Sequence, residues 1–201
     1  ASECAGVMDA VVFLRKVALG ERTMPGKRVI VIGGGNVAID AARTSLRLGS
    51  ESVTVAYRRT RNEMPADIEE VEQAEEEGID FSFLTIPASV CHDDGRVTKL
   101  ECLRAVMKTT GKDGRPRPVP LEDSLYTIDA DCVICAIGQQ VDIKCMQEIV
   151  DLEWTRRNTI DTNMVSMETS VPGIFAAGDA VTGPATIVEA IGGGKKAAQA
   201  I

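Results

Sequence analysis

The sequence predicts an α/β protein built around a Rossmann-like, three-layer dinucleotide-binding domain with an antiparallel β-meander. An apolar, β-branched run at Arg28–Ile32 leads directly into the glycine turn Gly33-x-Gly35-x-x-Ala38. A helical pattern then connects this turn to a second apolar run at 53–57. The order of strand, glycine turn, helix and strand is the context that a dinucleotide fingerprint requires.

The remaining elements follow from apolar periodicity and from the turn residues that separate them. Amphipathic helices are predicted at 4–19, 36–48 and 67–77. Further strands are predicted at 79–86, 90–97, 100–107 and 132–137, with Asp94-Gly95 at a hairpin tip. Residues 109–120 are rich in glycine, proline and charge, and they predict an exposed loop within the meander.

Composition excludes two classes of function. The longest apolar runs fall short of the about 18 to 20 residues of a membrane span. The 22 basic and 30 acidic residues give a net charge of −8, which argues against a nucleic-acid-binding protein. No secretory signal precedes the cysteines, so we expect thiols in a reducing cytoplasm rather than a disulfide framework; the cysteines are Cys4, Cys91, Cys102, Cys132, Cys135 and Cys145.

The fingerprint residues each have a physical role in holding a dinucleotide. Gly33 permits the tight turn after the strand, and Gly35 lets the backbone approach a pyrophosphate. Ala38 keeps the helix close to the strand. We expect the pyrophosphate at Gly35, Asn36 and Val37, because free N–H groups and the positive end of the helix dipole favour an anion there.

The basic pair Arg58-Arg59 follows the second strand of the fingerprint. NAD-binding proteins usually carry an acid at this place, whereas an arginine accommodates the 2′-phosphate of NADP. The sequence therefore favours NADP(H) over NAD(H), with Arg61 as a weaker third candidate. A structural alternative is that these arginines pair with the acidic helix at 67–77, whose acids otherwise form a solvated face.

Other candidate sites carry less weight. Cys132-x-x-Cys135 has a spacing seen in metal sites and redox pairs, but residues i and i+3 of a strand point to opposite faces, so buried thiols are expected. His92 lies beside the hairpin tip and is expected to be an exposed turn residue. No metal ligand set is predicted, and no catalytic acid or base.

The segment 169–179, with the sequence TSVPGIFAAGD, resembles the T-x-x-P-x-x-F-A-x-G-D segment of pyridine-nucleotide-dependent flavoprotein reductases. The resemblance implies that Gly178 and Asp179 lie against FAD, with the aspartate accepting from a ribityl hydroxyl. It also implies that the segment 185–191, including Thr186 and Ile187, begins a helix whose N–H groups face the flavin ring.

Residues 57–66 and 136–139 are similar to the small subunit of NADPH-dependent glutamate synthase and its relatives. That resemblance implies an FAD domain interrupted by an NADPH domain, with hydride passing from NADPH to flavin and electrons moving onward through iron–sulfur clusters. It places the nicotinamide end near Ile137 and Gly138. The expected division is a helix and linker from the FAD-domain side at 1–26, an NADPH domain at 27–143, and a truncated FAD-domain segment at 144–201.

The resemblance also implies what this chain does alone. The FAD fingerprint and cluster-ligating cysteines are expected upstream of Ala1, so we expect the chain to bind NADP(H), to lack flavin and to be inactive alone. Apolar surface is expected at 1–24 and 150–201, where it would meet the FAD domain or a second copy; a larger catalytic subunit or iron–sulfur protein is a further expected partner. Two other functions remain open: a thioredoxin-reductase-like enzyme with Cys132 and Cys135 as its dithiol, and a non-catalytic dinucleotide-binding module.

Overall fold

The computed structural model of the chain describes residues 4–109, 116–139, 141 and 151–201. The chain forms two compact units, Ala1–Ile137 and Gly138–Ile201. The domain boundary expected at 143/144 lies outside the described residues, as does Cys145. In the described part of the chain, no helix has both the length and the hydropathy needed to cross a bilayer.

Eight strands and three helices form the described part of the first unit. The strands are β1 (Val7–Asp9), β2 (Arg28–Ile32), β3 (Ser52–Ala56), β4 (Asp80–Ser82), β5 (Thr85–Asp93), β6 (Arg96–Thr109), β7 (Pro116–Asp129) and β8 (Cys132–Cys135). The helices are α1 (Ala10–Ala18), α2 (Asn36–Arg47) and α3 (Ile68–Glu76), with a 3-10 turn at Arg61–Glu63. A five-stranded parallel sheet has the order β1-β8-β2-β3-β4, and an antiparallel sheet has the order β5-β6-β7.

The parallel sheet is the middle of three layers. Successive side chains of a strand point to opposite faces, and β2 follows this rule: Val29 and Val31 belong to the core with α2, whereas Ile30 belongs to the core with Leu100 of β6. The predicted fold class, a three-layer α/β domain with a β-meander, is confirmed.

The first helix is shorter than predicted. It begins at Ala10 instead of residue 4, because the Asp9 carboxylate caps it by accepting the N–H groups of Val11 and Val12 at 2.9 and 3.1 Å. The preceding residues Val7–Asp9 form an edge strand parallel to β8. Part of the segment 1–26 therefore contributes a strand to the same sheet as the fingerprint.

The prediction of an exposed loop at 109–120 is wrong for the last part of that range, because β7 already begins at Pro116. Three prolines lie at alternating positions of β7 and pair with β6: Pro116, Pro118 and Pro120. Alternate residues of an edge strand direct their N–H groups away from the sheet, so these prolines remove no ladder hydrogen bond. The sequence pattern predicts a loop here because proline usually excludes a strand.

A carboxylate at the end of α3 ties that helix to α2. Glu77 Oε1 lies 2.6 Å from Arg43 Nη2 and 2.7 Å from Arg47 Nη2. Hydrogen bonding from Arg43 lowers the pKa of Glu77 below its ordinary value of 4.5. The stabilisation is therefore complete above the pKa of the unfolded chain and disappears as pH falls through the lowered pKa of the folded state.

The Glu77→Gln protein is expected to melt about 2–4 °C below the wild type at pH 7, from the loss of roughly 1 kcal/mol. The difference should shrink as thermal melts are repeated below the ordinary pKa of a glutamate, since the wild type then loses the same charge. Glu76→Gln, at a neighbouring exposed position, is the matched control and should behave as wild type. A difference in melting temperature that stays constant as the pH is lowered would contradict the ion-pair explanation.

The second unit contains two helices among its described residues, α4 (Asp179–Thr182) and α5 (Ile187–Ala200). Helix α5 runs through the three consecutive glycines at 192–194. Large apolar side chains are exposed in this unit, among them Val165, Ile187 and Val188. Leu19, after α1 of the first unit, is exposed as well.

Candidate functional site

The glycine turn between β2 and α2 is shaped by its contacts with the neighbouring strands. Gly33 has φ 149°, and its N–H donates to the Ala56 carbonyl at 3.1 Å. A Cβ at Gly33 would lie only 2.4 Å from the carbonyl oxygen of Ala136. Both the backbone conformation and the close approach therefore require glycine at this position.

Gly35 has no such local requirement. Its φ is −94°, which any residue adopts, and the nearest atom to an added Cβ would be Pro65 Cγ at 4.0 Å. Gly35 is the N-cap residue of α2, and no side chain caps the helix there. The missing side chain therefore leaves the positive end of a 12-residue helix open to an anion.

Asn36 and Val37, the other predicted pyrophosphate residues, form the first turn of α2. The Asn36 side chain is already engaged, since its Oδ1 accepts the Asp67 N–H at 2.9 Å. Ala38 is completely buried, as close packing of helix and sheet requires. The side chain of Asn36 thus shapes the turn, and the backbone of this segment is what it presents to a ligand.

The predicted basic pair follows β3 at the same sheet edge. Arg58 is exposed and Arg59 is partly exposed. Neither forms an ion pair with any of residues 4–109, 116–139, 141 or 151–201. Arg61 does, with Nη1 and Nη2 lying 2.8 and 2.5 Å from the Glu75 carboxylate of α3. The structural alternative of pairing with the acidic helix therefore describes Arg61 rather than Arg58 or Arg59.

The structure adds to this region one residue for which the sequence predicted no role. Tyr57 lies between the end of β3 and the basic pair, and it is 8% exposed. Its ring packs over Gly34, and its hydroxyl donates to the Glu63 carbonyl at 2.7 Å. An aromatic residue beside a fingerprint is a signal that the sequence contained, but its contacts depend on a loop that no periodicity describes.

The predicted nicotinamide residues follow the end of β8. Ile137, two residues after β8, is 76% exposed. Gly138 has φ 125°. Since β2, β3 and β8 are parallel neighbours, their carboxyl ends bring Gly33, Arg58 and Ile137 to one edge of the sheet, where ligands of open α/β folds bind.

The predicted flavin residues lie in the second unit. Gly178 has φ 64° and precedes α4, and a Cβ there would be 3.3 Å from Ala190 Cβ of α5. Asp179 is exposed, and its Oδ1 accepts the Ala185 N–H at 3.3 Å. Thr186 caps α5 through a reciprocal box with Glu189, at 3.3 and 3.0 Å, so Ile187 is the first residue of the helix.

The two cysteines of the C-x-x-C segment lie on opposite faces of the sheet. Cys132 belongs to the core under the helices, and Cys135 packs against the core under the meander. Burial raises the pKa of Cys132 to about 12 and that of Cys135 above its ordinary value. The five described cysteines are free thiols. Among the described residues, no group of three or more His, Cys, Asp or Glu side chains is placed to hold a metal ion.

A parallel sheet with an uncapped glycine turn at the carboxyl end of its strands defines a dinucleotide-binding class of protein. The chain belongs to the pyridine nucleotide-disulphide oxidoreductase family, whose profile matches residues 3–194.

Three relatives illustrate the range of that similarity. The chain is 39% identical to an NADPH-Fe(3+) oxidoreductase subunit beta of Geobacter sulfurreducens, over 94% of this chain and 31% of the relative. It is 40% identical to an NADP(+)-dependent formate dehydrogenase subunit beta of Moorella thermoacetica, over 98% and 28%. It is 35% identical to the glutamate synthase [NADPH] small chain of Azospirillum brasilense, over 96% and 42%. The chain thus spans less than half the length of these relatives.

Two solved structures share the fold. The thioredoxin reductase of T. acidophilum matches with a TM-score of 0.71 at 23% identity, over 98% of this chain and 56% of that one. Mycobacterium tuberculosis FprA in complex with NADPH matches with a TM-score of 0.74 at 16% identity, over 100% and 57%. At these identities the likeness concerns the fold alone.

Proposed function

We propose that the chain is the NADPH-binding portion of an FAD-dependent oxidoreductase that passes hydride from NADPH to flavin and electrons onward. The observation that carries this proposal is the combination at one sheet edge of an uncapped helix start at Gly35 with the basic residues Arg58 and Arg59, which make no ion pair among the described residues. An open helix N-terminus and unpaired guanidinium groups both suit phosphate oxygens.

Each group of residues has a separate task in this proposal. The backbone of Gly35, Asn36 and Val37 holds the pyrophosphate, and Arg58 and Arg59 bind the 2′-phosphate. Ile137 and Gly138, after β8, orient the nicotinamide end, and the exposed Ile137 side chain offers an apolar surface there. NADPH supplies the hydride when it is bound, so the protein need supply only binding and orientation, with no catalytic side chain.

The second unit supplies the flavin contacts of this proposal. Gly178 and Asp179 meet the ribityl chain of FAD, and the start of α5 at Thr186 and Ile187 faces the ring. The exposed Asp179 carboxylate is suited to accept a hydrogen bond from a hydroxyl group. The Thr186 box fixes where α5 begins, and the side chains of Ile187 and Val188 are exposed beside it.

The whole protein's activity is proposed by analogy with its relatives. Their names describe beta subunits and small chains of NADPH- or NADP(+)-dependent enzymes. We therefore propose a glutamate synthase small-subunit-like electron-transfer role, with a larger catalytic subunit or iron–sulfur protein as partner, in the cytoplasm. The dithiol alternative is disfavoured because Cys132 and Cys135 lie on opposite sheet faces. No particular observation favours a non-catalytic module.

Calorimetric titration with NADPH and NADH tests the nucleotide proposal. The wild type should prefer NADPH, and Arg58→Ala should weaken NADPH binding by about 10-fold or more, since a charged hydrogen bond contributes roughly 1.5–3 kcal/mol. NADH binding should not change. Arg61→Ala is the matched control, because Arg61 is paired with Glu75, and it should keep the preference. Equal affinity of the wild type for both nucleotides would refute the role of the basic pair.

A further inference from the structure

Tyr57 contacts both parts of the proposed nucleotide site, the glycine turn and the loop that carries Arg58 and Arg59. Its ring occupies the space over Gly34, where an added Cβ would lie 2.4 to 2.8 Å from three ring atoms. Its backbone is held by β4 and β5, because the Tyr57 N–H donates to the Ser82 carbonyl at 2.9 Å and the Tyr57 carbonyl accepts the Thr85 N–H at 3.0 Å. The ring is thus held in one place against the glycine turn.

The hydroxyl of the same side chain reaches the loop that carries the basic pair. It donates to the Glu63 carbonyl at 2.7 Å. Glu63 closes a short turn with Thr60, whose N–H donates to the Glu63 carboxylate at 3.0 Å. The segment from Arg58 to Glu63 therefore begins at the Tyr57 backbone and ends at the Tyr57 hydroxyl.

The hydroxyl is available as a donor over the physiological range. Burial raises the pKa of the Tyr57 phenol above its ordinary value of 10, against the opposing charges of Arg59 and Arg58. Two further connections hold the two ends of the same loop: the Arg59 carbonyl accepts the Leu84 N–H at 3.1 Å, and the Ala66 N–H donates to the Gly34 carbonyl at 3.1 Å. Loss of the phenol hydroxyl alone would therefore release the middle of the loop without freeing its ends.

We propose that Tyr57 is a positioning residue for nucleotide specificity, which sets the segment bearing Arg58 and Arg59 at a fixed place relative to the glycine turn. This inference rests on the proposed function, since it names what holds the 2′-phosphate residues in register with the pyrophosphate residues. Preorganised groups bind more tightly because less ordering is needed on binding. The hydroxyl bond orders the residues that follow Arg59 and makes no contact with the glycine turn, so its loss should weaken NADPH binding and leave NADH binding unaffected.

Tyr57→Phe separates this role from simple core packing, because phenylalanine keeps the ring over Gly34 and loses only the hydroxyl. Tyr126→Phe is the matched control: it removes a hydroxyl that contacts Thr85 Oγ1 at 2.8 Å within the meander. Calorimetry should show NADPH binding weakened about 3- to 10-fold in Tyr57→Phe, as expected for one neutral hydrogen bond, with NADH binding within about two-fold of wild type. Tyr126→Phe should keep both affinities.

Hydrogen exchange gives a second reading that does not depend on ligand. The amides of residues 60–64 should exchange faster in Tyr57→Phe than in the wild type or in Tyr126→Phe. NADPH affinity unchanged from the wild type, equal losses for both nucleotides, or unchanged exchange of these amides would each overturn the positioning role. If the wild type itself shows no preference for NADPH, the proposed function fails together with this inference. If the wild type prefers NADPH and Tyr57→Phe has the same affinities as the wild type, the inference alone fails.

Discussion

The Gly35→Ser protein is expected to fold as stably as the wild type while binding NADPH at least about 30-fold more weakly, a loss of roughly 2 kcal/mol. Gly35 has an extended backbone, and an added Cβ would meet nothing closer than 4.0 Å. Serine is also a good N-cap residue, so its hydroxyl would satisfy an N–H of the first turn of α2. The same hydroxyl would occupy the place proposed for the pyrophosphate and compete for its donors.

Calorimetry with NADPH measures the expected loss of affinity, and thermal melting measures the expected retention of stability. Gly194→Ser is the comparison, because an added Cβ at Gly194 in α5 also meets nothing within 4 Å. That variant should bind NADPH as the wild type does. If Gly35→Ser kept wild-type affinity, the pyrophosphate would not approach α2 at Gly35. If it lost both affinity and stability, the role of Gly35 would be structural.

The sequence was most informative where local pattern and burial agree. The β-branched run of β2 is buried on both faces and the small residues of α2 are buried against one of them, so the sequence pattern identified both elements within a residue of their observed bounds. The opposite faces of Cys132 and Cys135 followed from strand geometry alone, and the two core clusters confirm them. These features depend on spacings of a few residues, which one sequence displays directly.

The features that were missed depend on distant partners. Strand β1 has three residues, too few for a periodic signal, and it forms because Val7 pairs with Val133. Strand β7 tolerates its prolines only because it lies at an edge of the meander. Which arginines are paired and which are not depends on where α3 places Glu75. The sequence thus predicted the residue types of the candidate site, while their pairing required the fold.

Gly33→Ala is expected to lower the stability of the first unit more than any single substitution discussed above. Gly33 combines φ 149° with a distance of only 2.4 Å between an added Cβ and the Ala136 carbonyl oxygen. The oxygen belongs to backbone that itself bonds to β2, because the Ala136 N–H donates to Ile32 at 2.8 Å. Relief of the clash would therefore disturb β8 as well as the turn, and the expected cost is about 3 kcal/mol or more.

Gly49→Ala separates the clash from the backbone conformation. Gly49 has φ 100° at the end of α2, and an added Cβ meets nothing within 4 Å. Alanine there should cost about 1 kcal/mol from strain alone. Thermal melting should accordingly show a fall of about 6–12 °C for Gly33→Ala and about 2–4 °C for Gly49→Ala. Equal falls in melting temperature would mean that the Ala136 carbonyl moves away freely. Glycine would then be required at position 33 by the backbone conformation and not by the contact with Ala136.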